Sequence, residues 1–169
     1  ENARNGLASG IVIKINSLQD KEFIDELYAA SQAGVPIRLI VRGMCCLRPG
    51  RPGLSENIEV RSIVGEYLEH SRIYYFHNEG DPRVYIGSAD AMVRSFDRRI
   101  ESLFRLEEEI LKKQAMNNLR YNLMDNVNTY VMKEDGSYVL LESDGEPPFN
   151  IHKEFYFVTR EIINEAKLF

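Results

Sequence analysis

Cysteine is almost absent from this chain. Cys45 and Cys46 are the only two, and immediate neighbours rarely meet disulfide geometry. That excludes a disulfide-stapled secreted scaffold and fits a reducing, cytosolic compartment. Histidine is scarce too, with three residues, none near the cysteines, so a Cys/His zinc set is a poor reading. No apolar run approaches the ~20 residues of a bilayer-spanning helix, which predicts a soluble chain. There is no internal repeat and no low-complexity tract. The 169 residues are 44% apolar and 28% charged, ordinary for one globular domain and unlike a disordered tail, a collagen repeat or a coiled coil. The chain opens on Glu1 without a signal-peptide pattern. It reads as a fragment of a longer protein, which would carry only half of an active site.

Acidic residues are missing from one long window. Between Leu27 and Ser55 there is none, while Arg38, Arg42, Arg48 and Arg51 all fall inside it. Arginine presents a planar fork of donors matched to phosphate oxygens, so the window suggests a local anion site; the alternative is a solvated basic loop. Residues 1–105 hold 14 basic and 14 acidic side chains, and residues 106–169 hold 7 and 12, which accounts for the net charge of −5. That balance argues against a general nucleic-acid binder, which needs a broad basic face.

The β-branched stretch 10–16 predicts a strand, and 20–33 a helix with Phe23, Ile24, Leu27, Tyr28 and Ser31 on one face, ended by Gly34. Residues 37–41 predict a second strand, 43–53 a loop, 58–61 a short strand and 62–69 a helix. Residues 71–76, 83–86 and 100–106 predict further strands. Strand, helix, strand in this order implies an α/β layer with some parallel pairing. Beyond Leu106 the spacing predicts a long polar helix over 107–126 and a hairpin of 129–132 and 138–141 around Asp135-Gly136. A final helix is expected over 151–167. The division expected is an α/β half-domain, 1–106, with a helical and hairpin extension, 107–169, packed on it.

His70-Ser71-Arg72 carries the most chemistry. Residues i and i+2 of a strand share a face, so the imidazole and the guanidinium would project together. One is a nucleophile or acid/base near neutral pH; the other neutralises phosphate oxygens. The alternative is a surface His beside a surface Arg. Gly87-Ser88-Ala89-Asp90, Arg94-Ser95 and Glu101 follow, and a carboxylate near His70 would fix its tautomer. His77 and His152 read as structural or surface residues. The run Glu107-Glu108-Glu109 reads as a solvated helix start.

This pattern resembles the phospholipase D superfamily motif of His-x-Lys, Gly-Ser-x-Asn, Arg-Ser and a distal Glu. Arg72 stands in for Lys, Asp90 for Asn, and His77 for the motif's downstream Asp. Superfamily members need two such halves, and one is present. The resemblance narrows to polyphosphate kinase through Lys14-Ile15-Asn16-Ser17-Leu18, Leu39-Ile40-Val41-Arg42-Gly43-Met44-Cys45 and Leu54-Ser55-Glu56-Asn57-Ile58. Tyr67-Leu68-Glu69-His70-Ser71-Arg72, Gly87-Ser88-Ala89-Asp90-Ala91-Met92 and Asp97-Arg98-Arg99-Ile100-Glu101 continue it. The blocks run in order from about Asn5 to Tyr138. They depart from the family at Ala91, where Trp is usual, and at Arg105, where Pro is usual.

The resemblance implies the C-terminal catalytic domain of that kinase. The fold implied is a phospholipase D-like α/β mixed sheet flanked by helices, with a C-terminal helix and β-hairpin extension. The activity implied is reversible transfer of the terminal phosphate of ATP to polyphosphate through a phosphohistidine on the preceding domain. His70 matches the family's second essential histidine and would either protonate the leaving phosphate oxygen or restrain the facing phosphohistidine. Arg42 matches the nucleotide-phosphate arginine. Glu101 is expected to orient His70, with Arg72, Arg99, Lys14 and Asn16 contacting phosphate or lining the site. The partners implied are ATP/ADP, inorganic polyphosphate, the preceding domains and, in the full enzyme, further copies of itself. Mg²⁺ would come with ATP, its ligands mainly outside this chain, and no metal ligand is assigned here. The location implied is cytoplasmic, with room for peripheral membrane attachment of the full-length enzyme. Two other classes stay open at this level: a phospholipase D-like phosphodiesterase half-domain and a non-catalytic nucleotide- or phosphate-binding module.

Overall fold

Short β-branched runs separated by turns need partners to satisfy their backbone groups, and here they find them in one sheet. The computed structural model describes residues 1–169. It contains β1 (Ile11–Ile15), β2 (Ile37–Val41), β3 (Ile58–Ile63), β4 (Ile73–Phe76), β5 (Arg83–Gly87), β6 (Leu103–Arg105), β7 (Thr129–Met132) and β8 (Tyr138–Leu140). Their order is β6-β5-β4-β1-β2-β3-β7-β8. The central β1, β2 and β3 are parallel, and all other neighbours are antiparallel. The result is the expected mixed sheet. The first crossover holds α1 (Lys21–Gln32), whose start is fixed by the Asp20 carboxylate accepting from the Phe23 N–H.

Strand alternation divides the core in two. Ile13 and Ile15 of β1 pack with Leu39, Val41 and Val60 under Ile24 and Leu27 of α1. Val12 points the other way, and with Ile40, Ile63 and Tyr75 it packs under α3 (Glu109–Met124) and the late residues Ile151 and Leu168. Lys14 and Asn16 follow Val12 on that second face. Both are buried, so β1 changes from apolar to polar on one face as it approaches its carboxyl end.

Two expected helices differ. Over 62–69 the chain instead extends β3, pairing Ser62 with Tyr130 and Ile63 with Thr129 of β7, and then runs irregularly to β4. Ladder bonds to a strand far along the chain outweigh a weak local helical spacing. The single helix expected over 151–167 is three pieces: α4 (Ile151–Glu154), a 3₁₀ turn (Phe155–Phe157) and α5 (Arg160–Asn164). Thr159 restarts the helix by accepting from the Ile162 N–H. Ile151 and Leu168 are both buried while Tyr156 and Phe157 are exposed, a pattern that bends the segment around the core. The remaining helix, α2 (Val93–Asp97), is a short turn before β6. No helix is long and apolar enough to cross a membrane.

Candidate functional site

Strands β1 and β2 end in register, Ile15 beside Val41, so the next residues, Asn16 and Arg42, emerge together. Arg42 Nε donates to Asn16 Oδ1 at 2.5 Å. The Gly43 N–H donates to the Asn16 carbonyl at 2.8 Å, and a Cβ at Gly43 would lie 2.7 Å from that same oxygen. The chain can therefore turn against β1 here only because residue 43 has no side chain. The far end of Arg42 meets His70, with Nη2 3.2 Å from Nδ1. Sheet order brings the two together: β4 returns antiparallel beside β1, Lys14 opposite Ile73, which delivers residues 70–72 to the carboxyl end of the parallel strands. Open α/β sheets bind ligands at such ends.

A guanidinium has donors only, so His70 Nδ1 is the acceptor in this contact and the neutral ring carries its proton on Nε2. The imidazole is exposed and Arg42 half-buried. The side-chain partners of Arg42 are Asn16 and His70, neither of them an acid. The rim thus offers an anion one guanidinium and one outward imidazole N–H.

Beneath the rim every acid has a cation. Lys14, 2% exposed, sits 3.3 Å from Glu69 Oε2 and donates to Ser71 Oγ at 2.9 Å. Arg72 donates to both oxygens of Asp90, at 3.2 and 3.1 Å, and Asp90 Oδ1 also accepts from the Asn16 N–H at 2.8 Å. Burial pushes the Asp90 carboxyl up, but the Arg72 and Asn16 hydrogen bonds outweigh it and hold the group below the ordinary carboxylate value. Burial pushes the Lys14 ammonium down; Glu69 works against it, Arg42 and Arg72 with it, and the net direction is down.

Of the residues expected at the site, Arg42, His70, Asn16, Lys14 and Arg72 come together. Arg72 is engaged by Asp90 and by the His70 carbonyl, to which Nη1 donates at 3.2 Å. The Glu101 carboxylate accepts from the Ser88 hydroxyl, and of the two His70 ring nitrogens Nδ1 is met by Arg42. Arg99 is exposed in the segment before β6. Of the other two histidines, His77 lies 3.0 Å from the Tyr75 hydroxyl at the opposite end of the sheet. His152 is buried, with Nε2 3.6 Å from Glu69 Oε1. Glu69 and His152 were not expected at the site. Adjacency to His70 was the one available signal for Glu69, and no local pattern marks His152. No group of three or more His, Cys, Asp or Glu residues could hold a metal ion, and Asp90 and Glu69 are already neutralised by Arg72 and Lys14.

The chain matches the family model described as polyphosphate kinase C-terminal domain 2 over residues 1–152. It is 52% identical over 137 residues to a polyphosphate kinase from Staphylococcus haemolyticus, covering 81% of this chain and 19% of that protein. Its fold superposes on a crystal structure of polyphosphate kinase from Porphyromonas gingivalis with a TM-score of 0.88 and 40% identity, covering 92% of this chain and 24% of the other. The chain thus spans about a fifth of the length of the curated relatives it matches. A phospholipase D family member, Nuc from Salmonella typhimurium, shares the fold at TM-score 0.57 and 14% identity, over 78% of this chain and 86% of that one.

Proposed function

Since the chain belongs to the polyphosphate kinase family, we propose that it supplies one wall of the active site that moves the terminal phosphate of ATP reversibly onto polyphosphate. The single observation that carries this reading is the Arg42–His70 contact of 3.2 Å at the carboxyl end of the parallel strands, with no acid on Arg42.

Phosphoryl transfer asks a protein for position and charge neutralisation more than for covalent chemistry. In this reading a histidine elsewhere in the parent polypeptide is the carrier. The bond from the terminal phosphorus to the ADP oxygen breaks as a phosphorus–nitrogen bond forms to that imidazole; a terminal polyphosphate oxygen then displaces the nitrogen. Arg42 balances the negative charge on the migrating group. The Nε2–H of His70 donates to a phosphate oxygen, a role that matches the tautomer set by Arg42 and makes His70 the helper, not the carrier. Asn16 holds the Arg42 side chain and Arg72 the His70 carbonyl, Lys14 ties down the adjacent Glu69 and Ser71, and the exposed Arg99 is a further phosphate contact in this reading. Mg²⁺ enters as part of the nucleotide substrate: the acids near the rim are tied to Arg72 and Lys14 and do not form a cage, so no step runs through the metal on this chain. The enzyme in this reading is cytoplasmic and assembles with its own copies. The phosphodiesterase reading is weaker, because the cation two residues past His70 is engaged by Asp90.

The test is ATP-dependent polyphosphate synthesis by the complete protein bearing this chain, with and without His70→Ala. Loss of synthesis with an unchanged circular dichroism spectrum is expected. Near-normal turnover, or hydrolysis of a phosphodiester without ATP, overturns the reading.

A further inference from the structure

The segment that carries His70 to the rim, residues 64–70, is irregular and largely exposed, so something must fix its position. Its inner side closes on His152. The Tyr67 N–H donates to His152 Nδ1 at 3.4 Å, and the Tyr67 ring meets the imidazole edge-on at 5.3 Å between centroids. Gly65 lies flat against the same ring: a Cβ there would be 2.6 Å from Cε1 and Nδ1. With Nδ1 accepting, the ring proton is on Nε2, which is buried, has no hydrogen-bond partner and sits 3.6 Å from Glu69 Oε1. Glu69 is the residue before His70, and its other oxygen is held by Lys14. Three of the six residues leading to the rim imidazole thus touch one buried ring from the far end of the chain.

That ring is itself rigidly placed. Asp125, fully buried at the end of α3, accepts from the Ile151 N–H at 3.0 Å and from the Val127 and Asn128 N–H groups at 3.1 and 2.7 Å. Asn150 caps α4 by accepting from the His152 N–H at 3.0 Å. A side chain so fixed transmits its position to the middle of that loop, whose ends are held separately, by the Val64 N–H donating to the Asn128 carbonyl and by Arg72 donating to the His70 carbonyl.

We propose that His152 is a positioning residue for His70: through Gly65, Tyr67 and Glu69 it sets the path of residues 64–70 and so holds the rim imidazole against Arg42. The C-terminal segment then belongs to the working site and is more than a cover for the sheet. The inference rests on the proposed function only for its kinetic arm.

In the complete protein, His152→Ala is expected to lower kcat for polyphosphate synthesis about 10–100-fold, by analogy with removing the outer partner that orients a metal-ligating imidazole, chiefly in kcat and not in KM for ATP. His152→Gln keeps an amide donor toward Glu69 and is expected to recover most of that loss. A second readout needs no activity: the ¹⁵N resonance of His70 Nδ1, assigned through its loss in His70→Ala, should shift in folded His152→Ala as the Arg42 contact loosens. A lower Tm with the His70 resonance and kcat unmoved would make His152 a packing residue and overturn the proposal, as would a Gln variant no better than Ala. If the wild-type protein makes no polyphosphate, the proposed function fails, and the resonance alone decides the positioning role.

Discussion

Strand β2 carries Arg38 near its start and is followed at once by Arg42, and the molecule uses the two in opposite ways. Arg38 is closed in: Nη1 donates to the Leu168 carbonyl at 3.1 Å, and the guanidinium lies 5.1 Å over the Phe169 ring. Phe169 in turn stacks on Tyr75 and meets His77 edge-on. At the other end Arg42 meets only Asn16 and His70, while the nearby acids belong to other cations, Asp90 to Arg72 and Glu69 to Lys14. One end absorbs its positive charge into packing. The other absorbs its negative charge and leaves a positive group unneutralised at the surface. Neither arginine has a carboxylate, but Arg38 is taken up by a backbone carbonyl and a ring face whereas Arg42 stands at the rim beside an exposed imidazole, so Arg42 is the one available to a phosphate.

The sharpest way to break this contrast is to remove each arginine in the complete protein. Arg42→Ala is expected to cost about 100–1,000-fold in ATP-dependent polyphosphate synthesis, the scale of losing one donor aimed at developing charge, with little change in Tm. Arg38→Ala should do the reverse, lowering Tm and leaving turnover of the folded enzyme near normal. Comparable losses of turnover in both variants would erase the distinction.

The next largest effect concerns the acids beneath the rim. The Arg72–Asp90 pair is mostly shielded, with side-chain exposures of 14% and 8%. Breaking a buried pair leaves an uncompensated charge and costs about 3–5 kcal/mol, so Asp90→Asn should lose roughly 3 kcal/mol in urea unfolding at neutral pH. The pH dependence has a definite sign. Asp90 is held below its ordinary value in the folded state, so its contribution is complete above about pH 4, where the unfolded carboxyl is ionised too. As pH falls below that, the unfolded chain binds the proton first and stability drains until the folded carboxyl titrates. The gap between wild type and Asp90→Asn should therefore narrow on acidification; a gap independent of pH would assign the loss to packing.

Much of this was legible in the residues. The strands at 10–16 and 37–41 and the helix over 20–33 announce themselves through short apolar runs, one-face apolar spacing and a terminal glycine, all local signals. The rim was legible as well, because Arg42 and His70 fall in blocks shared with a known family and because Lys14 and Asn16 share a face by strand period. What failed to show was set by distant partners. Ser62 and Ile63 are strand because β7 lies beside them. Residues 151–167 bend because Ile151 and Leu168 must both reach one core. Glu101, the distal Glu of the motif and the expected orienting partner of His70, accepts from Ser88, while Nδ1 of His70 meets Arg42. His152 was invisible for the same reason: nothing in its neighbourhood says that it touches residues 65, 67 and 69.

The smallest effects compare the two ends of the sheet through a glycine at each. A Cβ on Gly43 would meet the Asn16 carbonyl at 2.7 Å, and that oxygen is backbone at the end of β1, unable to withdraw without moving Asn16 and Arg42 with it. Gly43→Ala should therefore cost about 1–3 kcal/mol, as overpacking does, and lower turnover with it. A Cβ on Gly10 would come 2.6 Å from the Phe169 ring, an even shorter distance. Yet the Phe169 side chain is 42% exposed, so the ring can swing aside and lose only its aromatic contacts, about 1 kcal/mol. Gly10→Ala should lower Tm slightly and leave turnover alone. The ranking runs against the bare distances because what a clash costs depends on whether the group it meets can move, and equal losses from the two variants would show that the rim is no more rigid than the aromatic end.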